Sequence, residues 1–263
     1  MNKLKDKVIW ITGASSGIGE ELAYQLAEQG ATVIISARRK DKLVAIKAEC
    51  VKRFDANMIV YPLDVSDPNE IKRAVDHLSS KLKKIDVLVN SAGFGHTGYF
   101  IDYDFSKAEQ MFKVNVLGLM YMSQLVALKM IPNNSGQIVN ISSIAGKIAT
   151  PKSSIYAATK HAVTGFSNAL RLELKEHNID VTTINPGPVE TAFFDVFDPN
   201  REYVNSIRPF VLEVEEVASK TVKAIASPKR EVNMPLILEV ANRVYTLFPK
   251  TGDYLTRTIF NKK

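Results

Sequence analysis

The chain has 263 residues, 46% hydrophobic and 24% charged, a balance that excludes a disordered polypeptide and allows a sizeable buried core. One cysteine, Cys50, excludes an intrachain disulfide; a helix-packed thiol in a reducing cytoplasm is the expectation. The net charge of +6 does not point to nucleic acid, because Lys and Arg are scattered, with short clusters only at 81–84 and 38–42, and no zinc-finger or aromatic RNA-binding pattern accompanies them. Anionic small molecules account for part of the surplus. The charged start, residues 1–7, leads straight into a strand-like run, so secretion through a signal segment is not expected.

Short apolar runs alternate with longer amphipathic ones, the pattern of βαβ units around a parallel sheet. Strands are expected at 8–12, 32–36, 58–62, 87–90, 137–142 and 180–185, and helices at 17–29, 40–54, 68–82, 104–131 and 154–177. The runs VIWI, VIIS, VLVN and IVNI are almost continuously apolar, as buried parallel strands require. Gly30 is placed to close the first helix in a left-handed cap, and Asp67-Pro68 opens the third as N-cap and first residue. No repeat or linker divides the chain, so one domain over 1–263 is expected.

Between the first strand and helix lies Thr12-Gly13-Ala14-Ser15-Ser16-Gly17-Ile18-Gly19. Gly13, Gly17 and Gly19 permit a tight turn and close approach of backbone to a pyrophosphate, with the helix N-terminus behind it. The second strand ends in Ser36-Ala37-Arg38-Arg39, with no carboxylate before Asp41. An acidic residue there would hold the free ribose hydroxyls of NAD; Arg38 and Arg39 suit the 2′-phosphate of NADP(H).

Further along, Asn90-Ser91-Ala92-Gly93 ends the fourth strand, Ser143 ends the fifth, and Pro186-Gly187-Pro188-Val189-Glu190-Thr191 ends the sixth, all at one sheet edge. Tyr156 and Lys160 stand at i and i+4, on one helix face. A phenol is a poor base at neutral pH, and a nearby cation shifts it toward the working range. Ser143 lies thirteen residues before Tyr156, which favours it over the adjacent Ser142 for holding a substrate oxygen. Asn115 is placed to position Lys160 through a water. His161 points off this face; His96, after the Gly93-Phe94-Gly95 turn, is a candidate substrate contact.

After Pro186 the regular pattern stops. Residues 188–212 hold Phe193, Phe194, Phe197, Tyr203 and Phe210, which suits either a lid over an apolar substrate or a loop packed on the core. A helix follows at 213–226. The apolar segment 236–248 carries Ile237, Val240, Ala241, Val244 and Phe248 on one face. It is too short and too charged to cross a bilayer, and no transmembrane segment is expected. It would dock on the domain, on a second subunit or on a membrane surface, as part of a docking region over 228–263.

Taken together, the glycine octet, Asp64, Asn-x-Ala-Gly, Asn115, Ser143, Tyr156, Lys160 and the Pro-Gly segment resemble the short-chain dehydrogenase/reductase family over residues 6–192. The resemblance implies an α/β fold, a Rossmann-like doubly wound parallel sheet of about seven strands with helices on both faces. It implies an Asn115–Ser143–Tyr156–Lys160 catalytic tetrad, and an NADP(H) site formed by Gly13, Ser15, Ser16, Gly17, Ile18, Gly19, Arg38, Arg39, Asp64, Val65, Asn90, Ala92, Gly93, Tyr156, Lys160, Pro186, Gly187 and Thr191. Within that site Asp64 would bind the adenine amine and Thr191 the nicotinamide carboxamide. The expected activity is hydride transfer to or from a carbonyl or alcohol, with no metal; the expected assembly is a homodimer or homotetramer on the helices near 104–131 and 154–177. Ser91 stands where many relatives have Asn, and the ending common in acyl-carrier-protein reductases is absent. The competing reading is a catalytically silent, NADP(H)-sensing binding protein, which has no need of the Tyr156–Lys160 pair.

Overall fold

The computed structural model describes residues 3–193, Phe197 and residues 208–259. Seven parallel strands form one sheet: β1 (Val8–Thr12), β2 (Thr32–Ser36), β3 (Met58–Val60), β4 (Val87–Asn90), β5 (Gly136–Ile141), β6 (Ile179–Pro186) and β7 (Glu231–Met234), in the order β3-β2-β1-β4-β5-β6-β7. Chain order reverses direction between β1 and β4, the switch point where ligands of open α/β sheets bind.

Six strands follow the expected positions within a residue or two; burial on both faces makes the apolar runs of β1, β2, β4 and β5 unmistakable. The strand at 58–62 stops at Val60, although Tyr61 and Leu63 still donate to Ile35 and Ala37 of the neighbouring chain path. β7 has no counterpart in the sequence pattern. It is a four-residue edge strand with only Met234 buried, so it lacks the continuous apolar run of the central strands.

Alternate residues feed two cores. Ile9, Ile11, Val33, Ile35, Val89 and Val139 face α1 (Gly17–Glu28), α2 (Lys40–Phe54) and α7 (Val214–Ala226). Trp10, Ile34, Leu88 and Ile138 face α3 (Pro68–Lys81), α5 (Leu119–Met130) and α6 (Ser154–Glu173). The expected caps form: Gly30 has φ +76° and donates to Ala27, and Asp67 accepts from Asn69 and Glu70 ahead of Pro68.

The helix expected at 104–131 is interrupted. α4 (Phe105–Phe112) runs into a π-helical turn, Lys113–Gly118, before α5. Phe105–Asn133 is by length and composition apolar enough to cross a membrane, but Met111, Val116, Met122, Val126 and Met130 pack in the interior of this fold. The segment 236–248 is helical, as α8 (Leu236–Leu247), and turns into α9 (Pro249–Ile259) to make a hairpin.

Candidate active site

Backbone geometry shapes the loop after β1. Gly13 has φ +68° and Gly17 φ +57°, and a Cβ on Gly13 would lie 2.6 Å from the Ala92 backbone. Only a glycine lets the two strand ends come together there. Ser16 stands at the N-cap of α1 in extended conformation with no side-chain cap, so the first-turn amides are not engaged by that side chain. This glycine cradle fits a dinucleotide pyrophosphate.

Arg39 crosses the loop. Its guanidinium donates to Ser15 Oγ and Ser15 O at 3.0 and 3.1 Å and to Ser16 Oγ at 3.0 Å. Arg38 also borders a second cleft of about 530 Å3 with Tyr61, Asp64, Glu70 and Arg73. Arg73 brings a second guanidinium to that cleft, and sequence reasoning did not single it out. Asp64 lines both clefts; its Oδ1 accepts from the Ser66 amide and hydroxyl.

A continuous cavity of about 720 Å3 runs from the glycine loop to the C-terminal hairpin. Of the residues expected to bind cofactor or substrate, Gly13, Ser15, Ser16, Gly17, Ile18, Arg38, Arg39, Asp64, Val65, Ala92, Gly93, Ser143, Tyr156, Lys160, Pro186, Gly187 and Thr191 border it. Gly19, Asn90 and Asn115 do not. Gly19 lies against Gly13 O, where a Cβ would come within 2.5 Å. Asn90 is turned into the fold, donating to Ser123 Oγ and to Asn140 Oδ1, each at 2.9 Å. Asn140 in turn donates to Ser167 Oγ at 2.9 Å, so this buried polar chain ties β4 to β5, α5 and α6.

Asn115 lies in the π-helical turn and is 1% exposed. Its side-chain amide binds both backbone groups of Phe94 and also donates to Thr159 Oγ1 at 3.3 Å. A Cβ on Gly93 would lie 3.1 Å from Asn115 Oδ1 and 3.9 Å from Lys160 Nζ, so Gly93 keeps the space between them open. A π-turn inside a helix costs stability and often marks a functional position.

Ser143, Tyr156 and Lys160 converge at the cavity. Ser143 Oγ accepts from Ala145 N at 3.1 Å and lies 3.3 Å from Pro186 O. Ser142 points the other way, to Lys160 O and Thr164. Burial pushes the Tyr156 phenol up to about 12, with Ser143 pulling in the opposite sense. Burial brings Lys160 down to about 8; its Nζ donates to Ile141 O at 3.0 Å and stands 5.8 Å from the Tyr156 ring centroid.

The aromatic stretch reaches this site. Phe193 and Phe197 pack on Tyr156, with ring centroids 5.7 and 5.4 Å away, and on each other at 5.1 Å. Thr97 Oγ1 donates to Phe197 O at 2.8 Å, and Phe210 also borders the cavity. The ends of the stretch are pinned by a parallel bridge, Val189 to Leu212. Phe194 and Tyr203 lie outside the described residues. His96 does not border the cavity; it packs edge-on against Tyr103, with Nε2 3.1 Å from Lys107 Nζ. His161 lies off the site, its Nδ1 2.9 Å from Ala157 O.

A family model described as short chain dehydrogenase matches residues 7–202. The human protein dehydrogenase/reductase SDR family member 7 is 38% identical over 193 residues, 72% of this chain and 57% of the relative, so the match spans little more than half of that protein. A short-chain dehydrogenase/reductase from Burkholderia phymatum, solved with NAD, superposes with TM-score 0.87 at 24% identity, over 95% of this chain and 96% of that one. A short-chain dehydrogenase from Sphingobium yanoikuyae, solved with NADPH, superposes with TM-score 0.80 at 27% identity, over 95% of each chain.

Proposed function

The chain belongs to the short-chain dehydrogenase/reductase family of oxidoreductases, and on that premise we propose that it is NADP(H)-dependent, reducing a carbonyl or oxidising an alcohol with Tyr156 as proton donor and acceptor. The observation that carries this reading is the meeting of Ser143, Tyr156 and Lys160 at one cavity whose far end is the glycine loop. Bound nicotinamide dinucleotide supplies or accepts the hydride at the substrate carbon. In reduction Tyr156 delivers the proton to the substrate oxygen, and in oxidation it takes that proton back. Ser143 Oγ donates a hydrogen bond to the same oxygen and fixes its position. Charged Lys160 favours the phenolate, opposing the burial that raises Tyr156. Phe193 and Phe197 cover the tyrosine and keep water away.

The preference for NADP(H) is supported by the guanidiniums at the end of β2 and the absence of a carboxylate there. Because Arg39 is occupied with the glycine loop, Arg38 is the primary contact for the 2′-phosphate. Exposed Leu117, Leu128 and Leu172 on the helices around 104–131 and 154–177 support a homodimer or homotetramer formed there.

Tyr156→Phe tests the mechanism. It should lower NADPH-dependent carbonyl reduction at least about 100-fold, the scale of a lost general acid, while NADPH binding measured by fluorescence is retained. A variant that keeps full activity overturns the role of Tyr156.

A further inference from the structure

The hairpin of α8 and α9 lies beyond residues 7–202, the part matched by the family, and yet it walls the same cavity as Tyr156. Leu238 seats it on the strand end: a Cβ on Gly187 would come within 2.9 Å of Leu238 Cδ1 and 3.2 Å of Pro235. Gly252, buried in α9, lies under the Tyr245 ring and lets the two helices close on each other. What the hairpin presents to the cavity is hydrocarbon: Ile237, Leu238, Ala241, Val244 and Leu255. It contributes two polar side chains, and both are engaged by Asp253. Tyr245 donates to Asp253 Oδ1 at 2.7 Å and Thr256 to Asp253 O at 3.2 Å.

We infer that the hairpin extends the reaction cavity into a channel for the hydrocarbon tail of a monofunctional long-chain ketone or secondary alcohol; this rests on the oxidoreductase reading above. Among the described residues, Ser143 and Tyr156 are the groups proposed to hold the substrate oxygen, whereas the hairpin side chains Ile237, Leu238, Ala241, Val244 and Leu255 offer an oxygen no partner. A substrate with a second oxygen on the part held between the hairpin's aliphatic side chains would leave that group there without a partner. A plain chain meets no such cost, and each methylene withdrawn from water adds to binding. From Ile237 to Tyr245 the helix rises about 12 Å, the length of a chain of about ten carbons. Ile237, Val244 and Leu255 are 59, 41 and 44% exposed, so the channel opens to the outside through an apolar rim that admits such a chain end-on.

The test uses the full chain and methyl ketones from butanone to dodecanone. With NADPH, kcat/KM should rise roughly threefold to fourfold per methylene until the channel is filled. Without cofactor, dodecanone should displace the fluorescent probe anilinonaphthalene sulfonate. Ala241→Trp and, on the facing helix, Leu255→Trp each place a ring in the channel. Each should lower the dodecanone-to-butanone ratio of kcat/KM by at least about tenfold, the effect of two lost methylenes or more, and weaken the displacement. Both positions are exposed, and a melting curve identifies a variant that does not fold. Turnover of butanone with no dependence on chain length overturns the channel and leaves the oxidoreductase reading intact. No turnover of any ketone, with displacement still blocked by the two variants, overturns the proposed reaction and leaves the channel standing. Failure of dodecanone to displace the probe overturns the channel.

Discussion

Asn115 and Phe94 close a ring of two hydrogen bonds: the Phe94 amide donates to Asn115 Oδ1 at 3.0 Å, and Asn115 Nδ2 donates to the Phe94 carbonyl at 2.8 Å. The side chain thus does for the turn after β4 what a paired strand would do. It fixes Gly93 beside Lys160 and binds the π-helical turn to the sheet edge.

Asn115→Ala leaves both Phe94 groups and Thr159 without this partner in a buried setting. A loss of about 2 kcal/mol in stability is expected from unsatisfied buried amides, read as a lower urea midpoint with unchanged slope. Turnover should fall as well, because the turn that carries Gly93 and Phe94 lines the cavity. Unchanged stability would show that the ring does not hold the turn.

Burial disfavours the charged form of Lys160. Its folded value of about 8 lies below the ordinary 10.5, so above pH 8 the unfolded chain binds this proton more tightly than the folded one. The penalty is complete below about pH 8 and is relieved as pH rises toward 10.5. Lys160→Met should therefore stabilise the cofactor-free protein at pH 7 by about 2 kcal/mol, after allowance for the hydrogen bond lost at Ile141, which is roughly 5 °C in Tm. The gain should shrink between pH 8 and 10, while activity is lost. A variant less stable at pH 7 contradicts this.

The two arginines after β2 should separate in binding assays. If Arg38 binds the 2′-phosphate as proposed, Arg38→Asp replaces that cation by an anion and should weaken NADPH far more than NADH. Arg39→Ala removes the bonds to Ser15 and Ser16 that hold the glycine loop, so it should weaken both cofactors by similar factors. Equal losses of both cofactors with Arg38→Asp would remove the argument for 2′-phosphate recognition.

Gly13→Ala should impair both cofactor binding and folding. The position needs φ +68°, and the added Cβ would sit 2.6 Å from the Ala92 backbone. Backbone cannot swing aside as a flexible side chain does, so a loss of at least about 2 kcal/mol in stability is expected, together with loss of NADPH affinity. Calorimetry with and without cofactor measures both.

Much of this protein was legible from the chain itself because the determinants are local. Apolar runs marked six of the seven strands, Gly30 and Asp67-Pro68 marked helix ends, and the glycine octet marked its own turn, since backbone freedom and desolvation act on neighbouring residues. The i, i+4 spacing put Tyr156 and Lys160 on one face, and Ser143 faces them as expected while Ser142 does not.

Other features depend on residues far apart in sequence, and only the tertiary structure decided them. β7 is a strand because β6 offers it an edge, not because Glu231–Met234 reads as one. Arg38 and Arg39 are alike as a sequence pair, yet loop packing engages one and leaves the other at a second cleft. The side chain of Asn90 is turned into the fold, where Ser123 on α5 and Asn140 on β5 accept from it. Likewise 236–248 was legible as an amphipathic helix, but only its seat on Gly187, about fifty residues back in the chain, makes it a wall of the cavity that holds Tyr156.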